Sequence, residues 1–276
     1  MKLKKGINKE ISNEDYHLDR NYESSSSLKL FLKDSREFYK KYILGEREES
    51  KYKSVFDFGS YIHSLILEPE KTDDEFIIFD GLTRRGKAWT EFKEANQDKI
   101  IITKSQELMA ISLISAYKDN ADTKGLIQDG HAEHTLCTNL EGLDIKVRAD
   151  YIKEGMVIDV KTTSEPVDKF SAAKTIVRFD YDLSAALYID AFRKYTGKEL
   201  DFLFIFLNKQ NNDIAVLKAS TNLLENGRRK YKASIKGLLK ARSTGIFYEE
   251  GVQEVDIPTW AEFKDGTDTT TMLGES

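Results

Sequence analysis

The residues with the most chemical content are Asp150, Asp159 and Lys161. Over 143–151, LDIKVRADY, the side chains alternate: Leu143, Ile145, Val147, Ala149 and Tyr151 take one face, and Asp144, Lys146, Arg148 and Asp150 the other. Over 156–162, MVIDVKT, Ile158 and Val160 share one face and Asp159 and Lys161 the opposite one. Glu154–Gly155 is a tight turn, so the two strands pair and both aspartates come close, with Lys161 beyond.

Two carboxylates brought together on a sheet repel unless a cation neutralises them. Oxygen donors select Mg²⁺, with Mn²⁺ as a substitute. The Val160 carbonyl offers one more oxygen. Such an ion polarises a phosphate and acidifies a water. Lys161 is placed to orient or deprotonate that water, and it acts as a base only if neighbours depress its pKa. A bare Asp-x-Lys also fits an exposed, salt-bridged strand pair, so the rest of the chain must decide.

Helical spacing of Leu28, Phe31, Leu32, Phe38, Tyr42 and Ile43 predicts one helix, with 24–27 (four serines) as N-cap cluster and Gly45 as its stop. The charged stretch 45–53 reads as a surface loop. Residues 54–67 and 83–97 predict helices, the second behind a basic loop. Thr103 with Gln106 makes a capping box for a helix to about 118. Period two then takes over in strands 131–138, 143–152 and 156–162, with Asn139–Gly142 as a turn. Helices at 166–178 and 181–195 end at Gly197. Strands at 200–208 and 213–219 and a helix at 221–242 follow. This order predicts an α/β (α+β) domain with a mixed five-stranded sheet flanked by helices. The expected division is one domain over 1–242, helical to about 128 and core from about 129, and then a partly disordered tail over 243–276.

The chain has 276 residues, 40% of them hydrophobic and 11% aromatic, enough for a full core. No apolar run approaches the roughly 20 residues of a membrane helix. The N-terminus has charges but no apolar stretch, unlike a signal peptide, so the expected location is cytoplasmic. Cys137 is the only cysteine, which excludes a disulfide framework and an iron–sulfur cluster within one chain. The net charge of −5 speaks mildly against a protein that merely coats DNA.

The segments SSLKLF at 26–31, GSYIH at 59–63, RRGKAW at 84–89, AE at 132–133, KVRADY at 146–151, IDVKT at 158–162 and YDLSAALY at 181–188 occur in an order that resembles the PD-(D/E)XK nuclease superfamily. Within it, the chain is most similar to the exodeoxyribonuclease VIII (RecE-type) branch of phages and prophages, over about 10–240. The resemblance implies a restriction-endonuclease-like core. It implies that Asp150 and Asp159 ligate Mg²⁺, that Lys161 acts on the water, and that His63 and Glu133 lie at the metal. Gly59, one turn before His63, leaves room for close approach. Arg148 is expected at the scissile phosphate or in a salt bridge to an aspartate. Arg84, Arg85 and Lys87 suit backbone phosphates, and Trp89 suits a stacked base or a helix dock. Tyr188 ends the family's helical motif. A glutamine usually sits one turn before it, and here that position is Ser184, shorter and able to reach DNA only through water.

The implied activity is a 5′-to-3′ exonuclease on linear double-stranded DNA. It forms a homo-oligomeric ring and hands a 3′ overhang to a single-strand annealing recombination protein, in a bacterial host. The alternatives are a structure-specific or restriction-like endonuclease, and a catalytically weak DNA-binding recombination protein.

Overall fold

The computed structural model describes residues 2–9, 11–46, 53–81, 84–252, 254–258 and 261–262. In chain order the elements are β1 (Gly6–Asn8), α1 (Asn13–Leu18), α2 (Ser25–Lys33), α3 (Ser35–Phe38), a π-helical turn Tyr39–Leu44, α4 (Lys53–Leu67), α5 (Thr72–Glu75), β2 (Phe76–Phe79), α6 (Lys87–Ala95), β3 (Ile100–Thr103) and α7 (Lys104–Asp119). The core continues with β4 (Gly130–Leu140), β5 (Leu143–Lys153), β6 (Met156–Thr163), α8 (Lys169–Arg178), α9 (Tyr181–Thr196), β7 (Asp201–Asn208), β8 (Ile214–Lys218) and α10 (Thr221–Thr244).

The main sheet has the order β1-β4-β5-β6-β7-β8. All its pairings are antiparallel except β6 with β7. The fold is a mixed α/β, restriction-endonuclease-like one. All five expected strands are present. A sixth, β1, comes from the part expected to be helical, and β2 and β3 form a separate parallel pair. These three strands are 3, 4 and 4 residues long, too short for period two to register.

Helices cover both faces. On one side Leu28, Val147, Phe204, Leu187 and Leu238 join in a core under α2, α9 and α10. On the other, Ile62, Leu113, Ile158, Val160 and Ile205 pack under α4 and α7. Helices α9 and α10 cross closely at Gly227, where an added Cβ would stand 2.0 Å from the Asp182 carbonyl oxygen.

The serine cluster caps as expected: Ser24 and Ser27 bond each other's backbone. The single helix expected after it is broken at Asp34, whose φ of −154° and ψ of 93° end α2 and whose side chain caps α3. Gly45 closes the segment at φ 76°. The capping box of Thr103 and Gln106 is also present. The turn expected over 139–142 tightens to Glu141–Gly142, both at positive φ, because Leu140 still pairs with Leu143. Most of the loop expected at 45–53 lies outside the described residues, as does half of the expected tail. The part described after α10 docks: Phe247 stacks on Phe38 at 6.3 Å, and Arg36 lies 4.7 Å over the Tyr248 ring. Among the described residues no helix is long and apolar enough to cross a membrane.

Candidate active site

The site lies where the sheet comes apart. The β5–β6 ladder runs through Lys153↔Met156, Ile152↔Val157 and Tyr151↔Ile158 and stops there. The next register step would set Asp150 opposite Asp159. Instead the Asp150 carboxylate accepts the Val160 N–H at 2.7 Å. On its other side the β4–β5 register is continuous except at Glu133 and Asp150, which are not paired. Glu133 has φ +47°, uncommon for a residue with a side chain and of the sort that clusters at functional sites. Asp150 therefore sits where both neighbouring ladders open.

This opening breaks the expected alternation. Leu143, Ile145, Val147 and Ala149 share one core, but Tyr151 falls in the other, opposite Ile158. A strict period of two cannot pass through a position whose backbone is released on both sides.

The consequence is convergence. One ligand atom each from His63 on α4, Glu133 on β4 and Asp150 on β5 lie within 4.8 Å of one another. His63 Nδ1 is 3.6 Å from Asp150 Oδ2. Burial, then the Asp150 charge, pushes the Glu133 carboxyl up to about 7, against the pull of Arg148. One nitrogen and two carboxylate donors that repel one another fit a divalent cation, and these three residues are placed to hold it.

Asp159 is differently engaged. Lys161 Nζ stands 2.6 Å from Asp159 Oδ2, 3.9 Å from Asp150 Oδ2 and donates to the Val160 carbonyl at 3.2 Å. Burial pulls the Lys161 ammonium down, but Asp159 and Asp150 outweigh it and hold it above its ordinary value. Beside two unneutralised carboxylates Lys161 is held charged, and in that state it offers orientation and charge. The Val160 carbonyl and Asp159 adjoin the three-residue group and are tied to the lysine.

Other expected residues divide. Arg148 reaches neither aspartate. Its Nε donates to Thr135 Oγ1 at 2.8 Å and its Nη2 to the Ile11 carbonyl at 3.0 Å; Glu133 lies 3.8 Å away and the Tyr16 ring 4.2 Å. It is buried, and braces Glu133. Arg84 is likewise internal, bonded to Asp57 at 2.8 Å, to the Ile101 carbonyl at 2.7 Å and to Gln106 at 3.3 Å, with Trp89 5.5 Å away. Trp89 itself packs on Phe79 at 5.3 Å. Arg85 and Lys87 are exposed, and Lys87 pairs with Glu91 at 3.5 Å. Gly59 faces Thr162 Oγ1 with 3.6 Å to spare for a Cβ, an ordinary contact, so close approach does not demand glycine there.

On α9, Tyr188 is pushed up to about 12 by burial, opposed by its hydrogen bond with Ser25 and reinforced by Asp159 and Asp150. Ser184, one turn earlier, is half-buried. The ring of Tyr181 carries two cations, Lys161 Nζ at 5.3 Å and Lys29 Nζ at 5.1 Å. Lys29 is a site residue that sequence reasoning left without a role, although it sits inside the SSLKLF segment. It is half-buried and makes no ion pair among the described residues. Burial, then the nearby Lys161, lowers it to about 8.

A sheet parting around an aspartate, with an Asp-x-Lys on the next strand and helices on both faces, defines a PD-(D/E)XK-type protein. The chain belongs to the family described as the PDDEXK-like domain of unknown function DUF3799, which matches residues 24–247. No curated protein matches it. Among solved structures it is similar to a "Putative exonuclease" from Eubacterium rectale. The two are 15% identical with a TM-score of 0.65 over 91% of this chain and 97% of the other, a likeness of fold. A second, SSO0001, is 16% identical over 76% of this chain and 84% of the other, with a TM-score of 0.28 that carries no argument.

Proposed function

We propose that this chain is a Mg²⁺-dependent deoxyribonuclease, with Mn²⁺ able to substitute, acting as a 5′-to-3′ exonuclease on linear double-stranded DNA. The observation that carries the nuclease reading is the double opening of the sheet at Asp150, which gathers His63, Glu133 and Asp150 within 4.8 Å beside the Lys161–Asp159 pair. A divalent ion held there supplies Lewis-acid polarisation of the phosphate and acidification of a water.

The chain's own groups do the rest. Asp150 fixes its carboxylate through the Val160 N–H, with Oδ2 3.6 Å from His63 Nδ1. Glu133, beside His63 and Asp150, holds the attacking water and takes its proton. Lys161, kept charged, faces the phosphate oxygens and balances the charge that grows on them. Asp159 orients Lys161 and adds an oxygen on its far side. Tyr188 and Ser184 line the α9 side, and Arg85 and Lys87 serve more distant phosphates. One unit over 1–242 houses this activity.

Action from ends, the polarity, a ring of subunits, a partner that anneals single strands and a phage or prophage origin rest on the resemblance to the RecE-type branch. The test is nucleotide release from linear duplex with Mg²⁺, beside covalently closed circles and an Asp159→Ala control. The expected result is release from the linear form alone, abolished in the control. Cutting of the circle moves the assignment to an endonuclease, and activity surviving in Asp159→Ala overturns the site.

A further inference from the structure

Helix α8 follows the motif strand β6 directly and is amphipathic in an unusual way. Its inner side buries Ala172, Thr175 and Ile176. Its outer side exposes Phe170 at 69% and Val177 at 57%; Phe179, just past its end and half a turn round the helix from Phe170, is 48% exposed. Each of the two rings is roofed by a cation. Lys174 Nζ lies 4.2 Å over the Phe170 ring, and the Arg178 guanidinium 5.3 Å over that of Phe179. Residues 169–179, KFSAAKTIVRF, hold three cations and no acid, in a chain whose net charge is −5. Asp168 and Asp180 border the segment, the first bonded to the backbone N–H groups of Phe170 and Ser171 and the second to Lys230, and Glu165 lies 3.9 Å from Arg178.

The row of rings leads to the site. Phe179 stacks on Tyr181 with centroids 5.6 Å apart and planes 27° from parallel. The Tyr181 ring in turn carries Lys161 and Lys29. A line of aromatic faces and cations therefore runs from the C-terminal end of α8, at Arg178 and Phe179, to Lys161.

We infer that the C-terminal end of α8, with Arg178 and Phe179, binds a single-stranded nucleic-acid segment and leads it to the Tyr181 ring beside Lys161. Bases present π-faces that stack on exposed rings whatever their sequence, and the backbone is a polyanion that the cations meet. An apolar protein partner gains little from a face on which every ring is paired with a cation. This inference rests on the reading that the site acts on DNA, and it adds that one strand leaves the duplex beside α8.

The test uses the full chain in chelator, so that binding is read without cleavage. Fluorescence anisotropy is measured with a short labelled oligothymidine and with a duplex of equal length. The proteins are wild type, the ring variant Phe179→Ala, the charge variant Arg178→Glu and, as a control on the other side of the helix that is expected to bind as wild type, Phe170→Ala, with circular dichroism as a check on folding and sedimentation as a check on self-association. The ring variant is expected to lose about tenfold or more in oligothymidine affinity while duplex affinity changes less than about twofold. The charge variant weakens both and flattens the salt dependence. Unchanged oligothymidine binding by the folded ring variant overturns the proposal. So does loss of self-association in that variant, which makes the face a contact between copies. Cleavage of linear duplex with Mg²⁺ is scored in parallel. Ring-dependent binding without any cleavage sinks the nuclease reading alone, and cleavage without ring-dependent binding sinks this one alone.

Discussion

The carboxylate of Asp150 accepts the backbone N–H of Val160 at 2.7 Å, where continuation of the β5–β6 register would set Val160 opposite Ala149. The same oxygen, Oδ2, lies 3.6 Å from His63 Nδ1, so one carboxylate both satisfies the opened backbone and borders the candidate cation site. The two duties separate by substitution. Asp150→Asn keeps an acceptor for Val160 and removes the charge, so nucleotide release falls by at least about a hundredfold while stability moves by less than about 1 kcal/mol. Asp150→Ala leaves that N–H unpaired and costs about 1–3 kcal/mol as well. Chemical denaturation beside the nucleotide-release assay reads both, and an Asn variant as active as wild type refutes the assignment.

Glu133 links stability to pH. Its carboxyl is raised from 4.5 to about 7 in the fold, so the folded chain holds a proton there that the unfolded chain has released. The associated stability is present below 4.5 and is lost as pH rises to about 7. Metal-free protein therefore loses Tm across this window more steeply than Glu133→Gln. Mg²⁺ or Mn²⁺ added above that window raises the Tm of wild type more than that of the variant. Parallel pH profiles for the two proteins count against it.

Lys29 is a half-buried cation whose folded pKa, about 8, lies below its ordinary 10.5. Below about 8 the fold carries the full cost of charging it, and that cost disappears as pH rises toward 10.5. Lys29→Met is expected to stabilise the chain at neutral pH by about 1–2 kcal/mol after allowing for solvent screening. It lowers kcat/KM by about tenfold, because a desolvated cation beside Lys161 is there for a phosphate. Lys29→Arg keeps most of the activity. A Met variant less stable than wild type shows that Lys29 is held by contacts other than the Tyr181 ring.

The basic segment divides into a brace and a contact. Arg84→Ala breaks bonds to Asp57, Ile101 and Gln106 and destabilises by about 2–4 kcal/mol. Arg85→Ala leaves stability within about 0.5 kcal/mol and reduces the slope of log affinity against log salt by about 1. Duplex binding across a salt series, beside urea unfolding, distinguishes the two. Equal stability losses in both variants contradict the division.

Much of this was legible beforehand because the signals are local. Alternation marked β4, β5 and β6, serine and threonine caps marked α2 and α7, and the Asp-x-Lys pair marked the strand that carries Lys161. The order of short segments marked His63 and Glu133, which lie 70 positions apart in the chain. His63 and Glu133 were thus implied by the family resemblance, while alternation and spacing determined the α/β class and the oxygen-rich group of Asp150, Asp159 and Lys161. What they left open depends on packing at a distance. Whether Arg148 faces a phosphate or braces Glu133 is decided by Thr135 and the Ile11 carbonyl, and whether Arg84 is free is decided by Asp57 and Gln106. That Lys161 is held up follows from Asp159 and Asp150 beside it, and that Lys29 is lowered follows from burial and then from the neighbouring Lys161. Periodicity assigns a side chain to a face of its own strand. Only the tertiary structure released Asp150 from both neighbouring ladders, because that release is set by how three strands and a helix meet rather than by any one of them.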